Sequence, residues 1–209
     1  MSKPSQRLFS LLTKHHGKTK LNQSLSINAV TAAQSNPTLI EIKHRVGKPS
    51  LHIPIENWIH SRDLCVGRWL AEDGNEYKLP AGTYSWGIWW SDKRIGAYRL
   101  HDSYGNIVSY RLDVLKEMQC SVFDCKPAIE FSDLVVDMWL FPDDTGRVDP
   151  RDVVVEDEDE AKQLHRDGVL SAEEMDIIGS TVNYVLKRPQ ETVRAIDSAI
   201  DTAVASAMN

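Results

Sequence analysis

The sequence has few cysteines and no long apolar segment, and each shortage excludes a class of protein. Its 209 residues include only Cys65, Cys120 and Cys125, too few and too unevenly spaced for a disulfide framework or a four-cysteine metal site. No apolar run approaches the roughly 18 residues of a membrane span. The basic N-terminal segment has no secretory apolar region and no cleavage site. We therefore expect a cytoplasmic protein without a membrane partner.

The chain also lacks the GxxxxGK[ST] phosphate loop and the alternating acidic loop of an EF-hand. Its net charge is -6 at pH 7, which disfavours binding to nucleic acid. The charge is uneven, because the first fifty residues are basic and much of the acid lies between Asp133 and Asp176. An anionic substrate is compatible with this charge if a metal ion holds it, since a metal reverses the local sign.

Turn residues and periodicity divide the chain into three regions. Residues 1–37 contain a short basic helix over residues 5–14 and then a polar arm. Residues 38–156 read as short strands separated by turns such as EDGN, SDK and DSYGN, typical of an antiparallel barrel or sandwich. Residues 157–209 carry helix signals, including the capping box of Ser171 and Glu174. We predict an α+β protein, mainly β, whose helical cap forms one structural domain with the strands.

The segment FSDLVVDMWLFPDD, residues 131–144, has the composition of a strand but carries two acidic residues inside it. Because side chains alternate along a strand, Asp133 and Asp137 share a face with Val135. The other face is entirely apolar, with Leu134, Val136, Met138 and Leu140. Buried carboxylates are unfavourable unless they are paired or bind a metal. Either this face meets solvent, or positive charge lies beside it.

Three further acidic residues complete a candidate metal site if their elements converge. Asp113 lies in YRLDV, at the end of a predicted strand, and Asp157 and Glu160 lie on one face of a predicted helix start. With Asp133 and Asp137 they form an oxygen-only set that suits Mg²⁺ or Mn²⁺. Five carboxylates exceed what one Mg²⁺ takes from a protein, so the set indicates two cations, which serve phosphoryl hydrolysis. The alternative for EDEDE is a solvated helix start stabilised by the helix dipole.

Other side chains are candidates for contacts with a nucleotide. Lys78 in YKLP would hold a phosphate as a point charge if it projects into a barrel; the alternative is an edge lysine that blocks strand pairing. Tyr84, Trp86 and Trp89 are candidates to stack on a base, although strand aromatics more often belong to the core. Tyr84 and Trp86 share a face that Trp89 does not, so at most one set faces a pocket.

Four segments together resemble one enzyme family. They are EYKLPAGTYSWGIWW, GAYRLHDSYGNIVSYRLDV, DLVVDMWLFPDD and VEDEDEAKQL, the last followed by DGVLSAEE. Residues 38–179 are similar to the metal-dependent nucleoside di- and triphosphatases, long catalogued as a domain of unknown function. The most specific features are the Asp-x-x-x-Asp strand followed by Pro-Asp, and the Asp-x-x-Glu helix start, in that order. The resemblance implies a strongly bent antiparallel β-barrel with C-terminal helices.

Under this resemblance the acidic residues become metal ligands. The two outer aspartates of the family's strand correspond to Asp133 and Asp137, and its helix-start acids to Asp157 and Glu160. The asparagine or aspartate that follows its tyrosine-rich strand corresponds to Asp113. These residues would hold two divalent cations, Mn²⁺, Mg²⁺ or Co²⁺.

Three positions depart from the family pattern or leave it open. Some members carry a third aspartate midway along the strand, where this chain has Val135. Asn106 competes with Asp113 for the role of strand ligand. In some members an arginine near the N-terminus donates a proton. Two residues of this chain are candidates for that role, Arg45 and His52.

The segments SWGIWW and YRLDV favour the subgroup that hydrolyses a cytidylyl-phosphonate in fosfomycin biosynthesis. The implied substrate is cytidylyl 2-hydroxypropylphosphonate, which would yield CMP and the free phosphonate. The alternatives are a general nucleoside di- or triphosphatase, a non-catalytic nucleotide-binding module, and a protein whose acidic face docks a basic partner. The oligomeric state stays open.

Overall fold

The computed structural model describes residues 38–61, 63–73 and 79–207. The predicted N-terminal helix and arm, residues 1–37, and the predicted phosphate-binding Lys78 lie outside the described residues. The strands are β1 (Leu39–Arg45), β2 (Leu51–Ser61), β3 (Leu64–Leu70), β4 (Tyr84–Trp90), β5 (Ile95–His101), β6 (Ile107–Phe123), β7 (Lys126–Leu140) and β8 (Val153–Glu156). The α-helices are α1 (Glu158–Arg166), α2 (Ala172–Lys187) and α3 (Pro189–Ala207).

Strands β1 to β7 close into a barrel. Each pairs antiparallel with the next, and β1 then pairs parallel with β7, from Ile40 opposite Ala128 to Arg45 opposite Asp133. Beyond that point β8 pairs antiparallel with the last residues of β7. Closure pairs strand edges that would otherwise expose free backbone groups. The predicted fold class, a mainly β barrel with C-terminal helices, is confirmed.

Alternation along the strands separates an outer face under the helices from an inner face. The apolar face of β7 packs against the helical cap in one buried cluster, whose members include Leu134, Val136, Met138, Leu140, Ile178, Val182, Val185, Val193, Ile196 and Ile200. Each such side chain contributes about 1.5–3 kcal/mol when fully buried. The cap is therefore held on the barrel by the face of β7 that carries no acid.

The helix-start signals of the sequence coincide with the starts of two helices. Ser171 Oγ accepts a hydrogen bond from the backbone N–H of Glu174, and the Glu174 carboxylate accepts one from the backbone N–H of Ser171. Pro189 begins α3, where its missing N–H leaves no helical hydrogen bond unmade. Across the described part of the chain, none of the helices is long and apolar enough to cross a membrane.

The inner face of the barrel holds a second apolar cluster, which consists of Leu39, Ile55, Cys65, Trp89, Leu115, Ile129 and Phe131. Gly67 and Gly87 pair directly between β3 and β4. A side chain at Gly67 would collide with Ile55, and one at Gly87 would collide with the ring of Trp89. The two glycines thus leave room for the side chains of Ile55 and Trp89, and Gly87 also lines a cavity.

Candidate active site

A cavity of about 380 Å³ lies inside the barrel, within the usual size range of small-molecule sites. One part of its wall is charged, with Glu41, Lys43, Arg111, Asp113, Asp133, Asp137 and Asp157. Another part is apolar, with Leu51, Ile53, Ile55, Trp69, Leu79 and Leu100. The cavity reaches the surface at the exposed residues Lys48 and Asp157. A ligand that fits it would carry both a charged group and an apolar group.

Two basic side chains lie among the aspartates. Lys43 is 6% exposed, and its Nζ lies 2.7 Å from Asp113 Oδ2 and 3.0 Å from Asp133 Oδ2. Arg111 Nε lies 3.0 Å from Asp113 Oδ1, and Arg111 Nη2 lies 2.8 Å from Asp137 Oδ2. The positive charge that the acidic face of β7 requires is therefore present in the protein itself.

Sequence reasoning missed both basic residues, although a signal was available for each. Arg111 lies two positions before Asp113 in YRLDV, so alternation places both on one face. In IEIKHR, Glu41, Lys43 and Arg45 occupy every second position, and the positions between them hold Ile42 and His44. Charges at alternate positions of an otherwise apolar strand indicate a charged inner face.

An irregularity in β7 sets the spacing of its two aspartates. Asp113 pairs with Asp137 and Leu115 pairs with Asp133, so four residues of β7 span two residues of β6. Midway between the aspartates, Val135 has a φ of 78°, where β-branched residues rarely occur. Its N–H donates a 3.0 Å hydrogen bond to Asp133 Oδ1. Such bulges concentrate beside active sites, where they redirect side chains.

The three aspartates bind protons with different strengths. Burial raises the pKa of Asp113, but Arg111 and Lys43 outweigh it and hold that pKa below its ordinary value. Burial and the neighbouring charge of Asp113 raise the pKa of Asp137 to about 8. Burial also raises the pKa of Asp133, against the attraction of Lys43. The basic side chains therefore favour the charged form of Asp113, whereas burial opposes the charged forms of Asp133 and Asp137.

The two helix-start acids lie in different places. Asp157 precedes α1 in a left-handed conformation, with a φ of 63°, and its side chain lines the cavity. Burial and the charge of Glu156 raise its pKa. Glu160, one turn later, accepts a 2.8 Å hydrogen bond from Lys48, which itself lines the cavity. The structure thus brings Asp157 to the cavity wall and places Glu160 behind Lys48.

The three aromatic residues expected to stack on a base are not part of the cavity wall. Trp86 lies on the outer face and packs in the core under the helices. Tyr84 shares that face and stacks on His101, with ring centroids 4.5 Å apart. Trp89 lies on the inner face but is fully buried beneath Gly87. Direct stacking on any of them is therefore not supported, because alternation and packing direct their rings away from the cavity.

Other aromatic side chains do line the cavity. Trp69 belongs to the apolar wall, and Trp139 follows Asp137 on the same face of β7. The indole N–H of Trp139 donates a 2.7 Å hydrogen bond to Glu156, and the guanidinium of Arg111 lies 5.8 Å from the centre of its ring. Trp69 and Trp139 thus contribute aromatic surface to the cavity wall.

The alternatives left open by the sequence occupy distinct places. Asn106 lies in the turn before β6 and donates its backbone and side-chain N–H groups to Asp102, so it is absent from the aspartate cluster that contains Asp113. Arg45 lines the cavity, with its guanidinium donating to the Pro49 carbonyl. His52 packs against Phe123 with ring centroids 4.5 Å apart, away from the cavity wall.

The donor chemistry of the cluster suits a hard cation, but no complete metal cage is present. Asp113 Oδ1 and Asp137 Oδ1 are buried and accept no hydrogen bond, since Arg111 Nε approaches Asp113 Oδ1 outside hydrogen-bonding geometry. These oxygens and Asp157 would be suitable ligands for Mg²⁺ or Mn²⁺. Within the residues that the structure describes, no three His, Cys, Asp or Glu side chains are arranged to hold a metal ion. The two-cation site stays a prediction.

Comparison with known proteins gives a likeness in structure alone. Neither a family model nor a curated protein matches the chain. The complex structure of FomD with CDP is similar over 74% of this chain and 84% of that chain, with 13% identity and a TM-score of 0.51. That likeness shows the fold. The phosphatase SC4828 with the non-hydrolysable nucleotide GPCP is similar over 80% of this chain and 86% of that chain, with 17% identity and a TM-score of 0.48.

Proposed function

We propose that this protein hydrolyses the anhydride bond of a nucleotide, in which phosphorus is linked through oxygen to a second phosphate or to a phosphonate. The favoured substrate is cytidylyl 2-hydroxypropylphosphonate, which would give CMP and the free phosphonate. The observation that carries the proposal is the cavity itself, whose wall combines buried aspartates, fixed cations, apolar side chains and two tryptophans. A general nucleoside di- or triphosphatase is the alternative within the same reaction class.

The charged wall suits the reacting end of such a substrate. Lys43 and Arg111 would stabilise the negative charge that develops on the phosphoryl and leaving oxygens. The Oδ1 atoms of Asp113 and Asp137, which accept no hydrogen bond, would hold a divalent cation together with Asp157. That cation, when bound, supplies Lewis-acid polarisation and a lower pKa for a water molecule. In the reaction the hydroxyl of water joins phosphorus, and the proton goes to the leaving oxygen.

The two tryptophans of the cavity wall suit the base. A base stacked on Trp69 or Trp139 would gain roughly 1–3 kcal/mol. Only a substrate that carries the base can use this contact at the transition state. We therefore expect nucleotides to react faster than pyrophosphate or p-nitrophenyl phosphate.

Lys78 is retained as a candidate phosphate ligand, and its replacement by alanine should lower kcat/KM for the nucleotide.

The test compares cytidylyl-phosphonate, CDP, pyrophosphate and p-nitrophenyl phosphate in Mn²⁺, in Mg²⁺ and in chelator. A matched pair of variants at the start of α1 isolates the cavity, because Asp157 lines it whereas Asp159 is fully exposed and pairs with Lys162. Asp157→Asn should lower kcat/KM at least about tenfold, as loss of a group that acts at the transition state does, and Asp159→Asn should leave it unchanged. Equal rates on p-nitrophenyl phosphate, or turnover in chelator, would contradict the proposal.

One observation favours a second candidate, a nucleotide-binding module without turnover. Lys43 and Arg111 already pair with the aspartates, as in a site that only holds a phosphate. Calorimetric binding of CDP with no release of CMP from any substrate would select this candidate.

A further inference from the structure

We propose that Lys43 and Arg111 take the place of one of the two predicted metal ions, so that this cavity accepts at most one divalent cation. The inference deepens the proposed function, on which it rests for the identity of the ligand. It concerns how the site supplies positive charge to the phosphates.

Most carboxylate oxygens of the cluster already have a fixed partner. Lys43 Nζ contacts Asp113 Oδ2 at 2.7 Å and Asp133 Oδ2 at 3.0 Å. Arg111 Nη2 contacts Asp137 Oδ2 at 2.8 Å, and the N–H of Val135 donates to Asp133 Oδ1 at 3.0 Å. A divalent cation at any of these four oxygens would have to displace its partner.

The two remaining oxygens belong to residues that pair across neighbouring strands. Asp113 and Asp137 are directly opposite each other in the β6–β7 pairing, and Asp113 Oδ1 and Asp137 Oδ1 are the buried oxygens that accept no hydrogen bond. Mg²⁺ is usually held by one or two carboxylates together with substrate phosphates rather than by an all-protein cage. The Oδ1 atoms of Asp113 and Asp137 therefore provide at most one such position, and Arg111 Nε already lies 3.0 Å from Asp113 Oδ1.

The backbone holds the basic residues among the carboxylates. Lys43 lies on β1, whose parallel pairing with β7 carries it beside the aspartates, and its side chain is 7% exposed. Displacing Lys43 would leave buried charges without partners, which is strongly unfavourable. A second divalent cation would also be repelled by the ammonium at short range. These fixed charges would remain when metal is removed.

The test counts Mn²⁺ ions by electron paramagnetic resonance on the full chain, with MnCl₂ and saturating α,β-methylene-CDP. The wild-type chain should bind no more than one Mn²⁺. Lys43→Met should bind a second ion, or bind Mn²⁺ at least about tenfold more tightly, because one fixed positive charge has been removed. Lys116→Met is the matched control, because Lys116 is an exposed lysine of β6 that pairs with Glu174 outside the cavity. It should behave as the wild type does.

Two Mn²⁺ ions on the wild-type chain would overturn the inference. So would a Lys43→Met variant with unchanged stoichiometry and affinity. The wild-type count needs no variant, so the inference stays testable if Lys43→Met does not fold. The number of bound Mn²⁺ ions is measured independently of catalytic activity. An inactive chain that binds one Mn²⁺ would therefore contradict the proposed hydrolysis alone. An active chain that binds two would contradict this inference alone.

Discussion

Replacing Glu41 with glutamine should stabilise the protein above neutral pH. Glu41 lies on β1 and is 1% exposed, and its carboxylate accepts a 2.5 Å hydrogen bond from the hydroxyl of Tyr98. Burial raises the pKa of Glu41 from 4.5 to about 7, because the charged form loses its hydration. At pH 8 the folded protein must therefore hold an ionised carboxylate in an unfavourable place.

The shift gives the size and the sign of the effect. At about 1.4 kcal/mol per pKa unit, a rise from 4.5 to about 7 corresponds to about 3 kcal/mol. Between these values the folded state holds a proton that the unfolded state has released, so this contribution to the free energy of unfolding falls as pH rises. It is fully present below pH 4.5 and lost above pH 7. Glutamine does not ionise and can still accept the bond from Tyr98.

Urea unfolding followed by tryptophan fluorescence, at several pH values from 4 to 8, would measure the difference. Glu41→Gln should match the wild type near pH 4 and exceed its free energy of unfolding by up to about 3 kcal/mol at pH 8. Glu117→Gln, at an exposed position of β6, is the control and should show no such trend. A difference that does not change with pH, or a variant less stable at pH 8, would refute the reasoning.

Three further outcomes are expected. Asp137→Asn should abolish hydrolysis. The metal-free variant should unfold at the same temperature as the wild type or at a higher one, because burial already disfavours the charge of Asp137. A large fall in the unfolding temperature would mark Asp137 as a structural partner. Deleting residues 1–20 should spare kcat, because they contain none of the proposed site residues; a hundredfold loss, about 2.7 kcal/mol of barrier, would show that they act at the site. Arg99→Met removes ion pairs of 3.1 Å to Asp197 and 2.9 Å to Asp201 on α3, and should lower the free energy of unfolding by about 2 kcal/mol in urea titrations without changing turnover. An unchanged free energy would mean that these pairs do not hold α3 on the barrel.

Several features of the fold could be predicted from the sequence because they depend on near neighbours along the chain. The side chains of a strand alternate with a period of two, so the assignment of Asp133 and Asp137 to one face and of Leu134 and Val136 to the other is borne out. The capping box at Ser171 needs only a residue three positions away.

The partners across the barrel could not be predicted in this way. Lys43 meets Asp113 from 70 residues away, and only the parallel closure of β1 on β7 brings its strand to the site. Alternation alone also could not distinguish Trp89, buried under Gly87, from Trp139, which lines the cavity.

The sequence by itself thus determined which residues share a face, because that depends on local backbone geometry. Tertiary structure decided what each face meets. The pairing of β6 with β7 and the bulge at Val135 position the aspartates, and the closure of the barrel places Lys43 between two of them. Strand pairing joins residues far apart in the chain, and its register is selected by how all seven strands pack together. The charge that balances Asp133 and Asp137 is therefore a property of the closed barrel and of no single segment.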